Sequence, residues 1–444
     1  MNFSARTIKA FLILLSLVSF NLSAMAYEVQ YADEARIAPL RWKNAKIPIA
    51  VSTSLLNQKS NINAESDTEG AVRRSLETWE KVAQVKFEII WTDLQTVSPA
   101  GNIGDGVSLI TIGQTPENLS LFGSATNEIS ARTRIFFNRK GNINEADIVL
   151  NPYEQFSTDG AIGTFDLEAT ITHEIGHLLG LEHSSILSST MYARQGKNGV
   201  LSLPGFSLRT LAEDDIAGIR ALYGTNNSEE NCCGRLQGKF SLSNGKPIKD
   251  LQVWAEEPET GRLMGGVLSG ADGSFKIEGL KPGVYKIYSQ SLNNKKDFFA
   301  VEDFEEVEIK KEKTTSIVKK IKNLSQDFNL QYIGFNGQLS ELAIPMNDGK
   351  SYTIYFGGKN LDAKNLEVVF NSPFFTVVPE SLTNLDFGSE ISVVGFEVKV
   401  NPKTPFGQYS FLVKKQNGAG QYFVGGLTIE KFPNVWSNLV LEDK

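Results

Sequence analysis

The chain has 444 residues, more than one ordinary domain holds, and two to four domains is the expectation. An apolar fraction of 41% with 10% aromatics suffices for several cores, and 38 glycines favour turn-rich β structure. The formal charge is −7, from 44 Lys and Arg against 51 Asp and Glu; without a basic block, this excludes nucleic acid as the main partner.

The first 26 residues read as an export signal. Arg6 and Lys9 form a short basic region, Ala10 to Leu22 is an apolar run, and Ala24-Met25-Ala26 has the small-x-small form of a cleavage site. The apolar run is too short to span a bilayer, and no later run approaches about eighteen apolar residues, so no transmembrane segment is expected. The expectation is a protein secreted or delivered to the periplasm after cleavage near Ala26. Its two cysteines, Cys232 and Cys233, are adjacent, which is no disulfide framework. A vicinal disulfide, an intermolecular bridge and two free thiols all remain open.

Tyr27 to Pro39 is a polar lead-in without cysteine. Ile47 to Val51 alternates as a first strand. Ser66-Asp67-Thr68-Glu69 has the form of a capping box, and Val72, Leu76, Trp79 and Val82-Ala83 follow at helical spacing with an apolar stripe facing a core. Val85 to Trp91, rich in β-branched and aromatic residues, is expected beside the first strand. The GNIGDG turn leads into a strand over Val107 to Ile112. Two more follow, Arg134 to Asn138 and Ala146 to Leu150, across the Lys140-Gly141-Asn142 turn.

Asp166 is a good N-cap for a helix that starts at Leu167. Ile171, Ile175, Leu178 and Leu179 form its buried back. On the opposite face His173 and His177 stand four residues apart, one turn above the other. Two imidazoles so placed can share a zinc ion, with Glu174 beside them as a general base. Gly180 ends the helix where positive φ is needed, and the chain can fold back to bring His183 to the metal. Three histidines leave the fourth tetrahedral position to water, the arrangement of a catalytic zinc. All three histidines of the protein lie in this segment.

His173-Glu174-Ile175-Gly176-His177-Leu178-Leu179-Gly180-Leu181-Glu182-His183 resembles the zinc signature of the metzincin metallopeptidases, and Ser184 after it resembles the matrixin branch. Ser189-Thr190-Met191-Tyr192 is similar to that family's Met-turn, in which Met191 makes an apolar floor under the metal. Leu211 to Gly224, with its paired Asp214-Asp215 and closing Tyr223-Gly224, is similar to the matrixin C-terminal helix. The resemblance covers about Arg36 to Thr225. It implies one catalytic zinc on His173, His177 and His183, Glu174 as the base, and cleavage of internal peptide bonds in protein or peptide substrates. It also implies an edge strand within Leu119 to Asn138 that pairs with extended substrate.

The chain departs from the family in several places. Ala193 stands where some metzincins have a tyrosine, and Ala193-Arg194-Gln195 replaces a Pro-x-Tyr segment that walls the specificity pocket. A second, histidine-bound structural zinc cannot be built. Turns such as Gly104-Asp105 are compatible with Ca2+, which the sequence does not show. No propeptide cysteine precedes the domain, so latency by that route is not expected.

Beyond Gly224 the composition changes, and residues 226–234 read as a linker. Short strands then recur between Gly and Pro turns. Asp272-Gly273-Ser274-Phe275 through Tyr285 to Gln290 resembles the carboxypeptidase-regulatory-like β-sandwich modules over 235–310. Residues 311–329 are lysine-rich and read as a second linker or a solvated edge. Residues 330–435 carry strands at Tyr352 to Phe356, Leu366 to Phe370, Val393 to Val400, Tyr409 to Lys414 and Tyr422 to Ile429, similar to an immunoglobulin-like sandwich. The expected architecture is multidomain: an α+β metzincin domain with a twisted mixed sheet over 36–225, then two all-β sandwiches, with few contacts between them and the peptidase domain. The expected function is a secreted zinc endopeptidase whose C-terminal modules serve surface or matrix docking or act as spacers. The rival is an adhesion protein in which the sandwiches act and the peptidase-like domain is a scaffold.

Overall fold

The structure is a computed structural model that describes residues 29–430 apart from 34–36, 58–60, 102, 124–128, 203–208, 226–231, 293–297, 300–301, 304–305, 325–326, 389 and 416–419. The export signal and most of the expected 226–234 linker lie outside the described residues.

The first third of the chain builds a mixed sheet. Its strands are β1 (Arg41–Trp42), β2 (Lys46–Ser52), β3 (Lys86–Thr92), β4 (Leu109–Thr111), β5 (Ala131–Phe137) and β6 (Asn142–Leu150). The order β1-β6-β4-β2-β3 is parallel throughout, and β5 runs antiparallel on β6. Among the described residues β5 takes its pairing from β6 alone, which makes it the edge strand expected within Leu119 to Asn138.

Two helices cover this sheet, α1 (Thr68–Glu80) and, after the short α2 (Pro116–Ser120), α3 (Leu167–Leu178). The N-cap of α1 is Asp67, whose side chain accepts from the Gly70 amide. The expected Ser66 instead accepts the Thr158 amide, so the carboxylate one residue later takes the capping role. The fully buried Trp79 of α1 joins the helices by donating its indole N–H to the Thr172 carbonyl of α3 at 2.9 Å. A two-residue parallel pair, β7 (Phe156–Ser157) and β8 (Phe165–Asp166), leads into α3. The last helix of this region is α4 (Glu213–Tyr223).

The middle sandwich packs β9 (Gly234–Leu242) and its neighbours against β10 (Leu251–Glu256), β11 (Leu263–Leu268) and β13 (Gly283–Ser291), with β12 (Ser274–Leu280) beside β9. The expected 311–329 linker requires correction. Thr314–Ile321 pairs in parallel with β9 over eight residues, and Ile321 is buried in the middle core. The lysines within and around this strand gave the stretch the composition of a linker. Cys232 and Cys233 are joined by a vicinal disulfide just before β9. The distal sandwich faces Asn329–Phe335, Ser351–Lys359 and Ser392–Val400 against Leu366–Phe370, Gly407–Lys415 and Gly420–Ile429. Phe356, Phe396, Phe411 and Tyr409 fill the space between.

The expectation of few crossing contacts does not hold. Helix α4 serves two cores: Ile219 and Leu222 pack into the peptidase region, while Ala217 belongs to the core of the middle sandwich. Gly279 of β12 comes so close that a Cβ there would meet the Ala217 carbonyl oxygen at 2.1 Å. The apolar periodicity of α4 revealed one buried face; the other is made of small residues, which carry no amphipathic signal.

Candidate metal centre

The N-terminus of α3 is capped by Asp166, whose carboxylate accepts the Ala169 amide at 2.8 Å and is bound by the Arg209 guanidinium. The buried Leu167, Ile171, Ile175 and Leu178 seat the helix in the core. Its C-terminal carbonyls are also taken: Leu178 O accepts the Trp42 indole N–H at 2.9 Å, and Leu179 O accepts the Tyr223 hydroxyl at 2.7 Å. Gly180 then takes φ +99°, and a Cβ there would meet Leu40 O at 2.2 Å, so the turn admits only glycine. The chain reverses and His183 returns to the helix.

His173, His177 and His183 converge, with one ring nitrogen of each lying within 4.8 Å of the others. His173 Nδ1 contacts Thr190 O at 2.7 Å and His177 Nδ1 contacts Leu181 O at 2.8 Å. A carbonyl oxygen only accepts, so both Nδ1 atoms carry a proton, which in the neutral ring leaves the lone pair on Nε2. His177 Nε2 and His183 Nε2 are 3.2 Å apart. They match the spacing of two nitrogens on one tetrahedral ion, about 3.3 Å for Zn–N bonds of about 2.0 Å. Burial, then the neighbouring His177, lowers the His173 pKa to about 4; burial with both other histidines lowers that of His183 to about 2. Both are therefore neutral, as metal ligands must be. The donor set fits a zinc ion.

Glu174 is 4% exposed, and its Oε2 accepts the hydroxyl of Thr133 on β5, tying the carboxylate to the edge strand. Met191 lies against α3: a Cβ at Gly176 would stand 2.2 Å from its sulfur, so Gly176 makes the space it fills. Calcium at Gly104-Asp105 is not shown. The turn instead gives its Gly106 amide to Glu145, and the Asp105 side chain accepts the Val107 amide.

Residues 122–224 match the family described as Matrixin. The chain contains a matrixin-like metzincin domain. It is similar to Metalloendoproteinase 1-MMP of Arabidopsis thaliana, 30% identical over 219 residues that cover 46% of this chain and 50% of that protein. It is also similar to Matrilysin of Rattus norvegicus, 44% identical over 75 residues, 17% of this chain and 26% of the other. The Hatching enzyme of Paracentrotus lividus is 28% identical over 184 residues, 40% of this chain and 26% of that one. The chain thus spans half of the first relative and about a quarter of the other two. Among solved structures, the major pilin subunit BcpA of Bacillus cereus overlaps 43% of this chain and 66% of its own at a TM-score of 0.17 and 13% identity, too loose a superposition to carry an argument.

Several residues that organise this matrixin-like site were not legible as such. Asp215 is fully buried and accepts from the Ser189 hydroxyl and the Thr190, Met191 and Ala212 amides, which shapes the Met-turn. Burial pushes its carboxyl up while these four donors pull it down. The paired aspartates were visible in the sequence, but their partners Ser184, Ser189, Thr190, Met191 and Gly266 all lie more than twenty residues away. Gln195 accepts from both Thr170 of α3 and Ser130 beside β5. It pins the segment after the Met-turn across the site, in the place of the absent Pro-x-Tyr wall.

Proposed function

We propose that the protein is a zinc metalloendopeptidase in which His173, His177 and His183 hold the metal through Nε2 and Glu174 is the general base. The observation that carries this reading is the convergence of three imidazoles, two of them on the helix that also carries the Glu174 carboxylate. Zinc held there supplies the Lewis acid that polarises the scissile carbonyl and makes water a nucleophile at neutral pH.

The chain's own residues do the rest. An extended substrate adds to the outer edge of β5, where backbone hydrogen bonds fix its direction. The Thr133 hydroxyl holds Glu174 Oε2 and so aims the carboxylate. Glu174 takes a proton from the attacking water and delivers it to the departing amide nitrogen, so that an amine leaves rather than an amide anion. Met191 has no lone-pair role beyond filling the floor. Protein or peptide substrates follow from this reaction class, and export through cleavage near Ala26 would put the enzyme among them.

The adhesion reading is not favoured, because a scaffold has no use for a base at position 174. The test is zinc content together with cleavage of an unfolded protein by wild type and Glu174→Ala. One zinc per chain in both, with cleavage only by wild type, is expected. A wild type that holds zinc yet cuts nothing would return the question to adhesion.

A further inference from the structure

The third histidine sits at the start of a loop whose first residues, Ser185 to Leu187, are held by the two C-terminal sandwiches. Ser184 donates its hydroxyl to Asp214 Oδ2 at 2.8 Å, and the other oxygen of Asp214 accepts the Gly266 amide of β11 at 2.7 Å. Ser185 offers its carbonyl, at 3.0 Å, and its hydroxyl oxygen, at 2.9 Å, to the Gln252 amide of β10. Leu187 donates its amide to Val424 O of the distal sandwich at 3.1 Å. Between them Ile186, fully buried, enters a socket of Trp254, Leu263 and Tyr288 from the middle sandwich and Tyr422 and Val424 from the distal one.

The socket is built to fit. A Cβ at Gly266 would stand 2.9 Å from Ile186 Cδ1, and one at Gly425 would stand 2.6 Å from Ile186 Cγ2, so each sandwich makes room with a glycine. Gln290 of β13 locks the two walls together, donating to Gln252 at 2.7 Å and accepting the Tyr422 amide at 2.9 Å.

What this loop holds matters for the metal. Ser184 N donates to Met191 O at 2.8 Å and closes the loop on itself. Thr190 within it provides the carbonyl that orients His173, and His183 immediately precedes it. We propose that the two C-terminal sandwiches are positioning elements of the metal centre, and that Ile186 in their shared socket is the positioning residue. Through it they fix His183 and the Thr190 carbonyl at once. The chain is then one catalytic unit and not a peptidase with appended modules. This inference rests on the zinc reading of the triad.

The test uses the full chain with Ile186→Ala and Ile186→Val, and with Ile309→Ala as a cavity of comparable size in the core of the middle sandwich, outside the socket. The readouts are the zinc dissociation constant by chelator competition, kcat and KM on a short peptide, and the unfolding temperature of the metal-free protein. Outer-shell support of this kind is worth about 10- to 100-fold in metal affinity. Ile186→Ala is expected to weaken zinc binding at least about tenfold and to lower kcat with KM little changed. Ile186→Val, lacking one methylene, should weaken it about threefold. Ile309→Ala should lower the unfolding temperature while leaving the zinc constant at the wild-type value. If Ile186→Ala loses stability as Ile309→Ala does but binds zinc like wild type, the socket is only structural and the proposal falls. If Ile186→Ala does not fold, wild-type affinity in Ile186→Val overturns it equally. A wild type without zinc would instead sink the reading of the triad.

Discussion

His173 and His177 stand on a helix, and His183 stands on a loop; the two parts of the site are held by different physics. The helix is specified locally. Its N-cap, apolar back and glycine stop lie within fifteen residues of one another, and its spacing alone aligns two imidazoles. The loop from Ser184 to Met191 has no regular structure, so its backbone groups must find partners one by one. It finds them in Asp215, Gln252 and Val424, residues drawn from three packed regions, while Asp214 takes the Ser184 hydroxyl. A ligand set can thus be half encoded by a motif and half by a tertiary interface.

The sharpest way to break this comparison is on the helix side. Glu174→Ala should retain zinc and fold while losing about 10²- to 10⁴-fold in rate, the range for a general base. His177→Ala should lose the metal itself, since two imidazoles with one missing cannot hold a catalytic geometry. Zinc content and peptide cleavage, measured together, check both. Zinc loss in the Glu174 variant would contradict the assignment of roles.

On the loop side Asp215→Ala leaves three amides and a hydroxyl without their buried acceptor. A destabilisation of about 3–5 kcal/mol is expected, read by denaturant unfolding. A loss under about 1 kcal/mol would mean that water replaces the carboxylate and the Met-turn holds itself.

The brace also has a pH dependence of its own. Glu256 of β10 accepts the Trp254 indole N–H at 2.8 Å and the Asn371 amide at 2.9 Å, and burial pushes its carboxyl up to about 7. As pH rises, the unfolded chain gives up this proton near the ordinary value of 4.5, before the folded chain does. Stability from this group is therefore complete below pH 4.5 and declines until about pH 7, by at most about 3 kcal/mol. Unfolding of wild type between pH 5 and 8 should show the decline, and Glu256→Gln should flatten it. An unchanged slope in the variant assigns the decline elsewhere.

Smaller effects sharpen the same contrast. Gly176→Ala gains about 1 kcal/mol of helix propensity but drives a methyl into the Met191 sulfur, an overpacking cost of about 1–3 kcal/mol. A net loss of about 1 kcal/mol is expected, because the thioether can shift only partly. Arg194→Ala removes an ion pair with Glu341 of the distal sandwich at 2.7 Å. Its side chain is 65% exposed, so the change should stay within about 0.5 kcal/mol in thermal unfolding.

The same division explains what the sequence made legible. The strands at Leu366–Phe370 and Ser392–Val400, the cap at Asp166 and the turn at Gly180 are written in spacing a few residues wide. Thr314–Ile321 was obscured because Lys319 and Lys320 fall side by side within it and Val318 faces outward, so no clean apolar alternation is left to read. Ile186 gave no signal at all: one isoleucine between serines and a leucine has no period, and its socket is assembled from residues 68 to 238 positions later. Small residues on α4 hid an interface for the same reason, since close packing needs no apolar stripe.

The claim at the centre of this account is that three Nε2 atoms, two from a helix and one from a braced loop, share one zinc. Anomalous diffraction at the zinc edge from crystals of the full chain tests it directly. The account predicts a single strong peak about 2.0–2.1 Å from Nε2 of His173, His177 and His183, with the Nδ1 atoms still on the carbonyls of Thr190 and Leu181. A peak bound by only the two helical histidines, a peak on Nδ1, or none at the triad in zinc-loaded protein would contradict it.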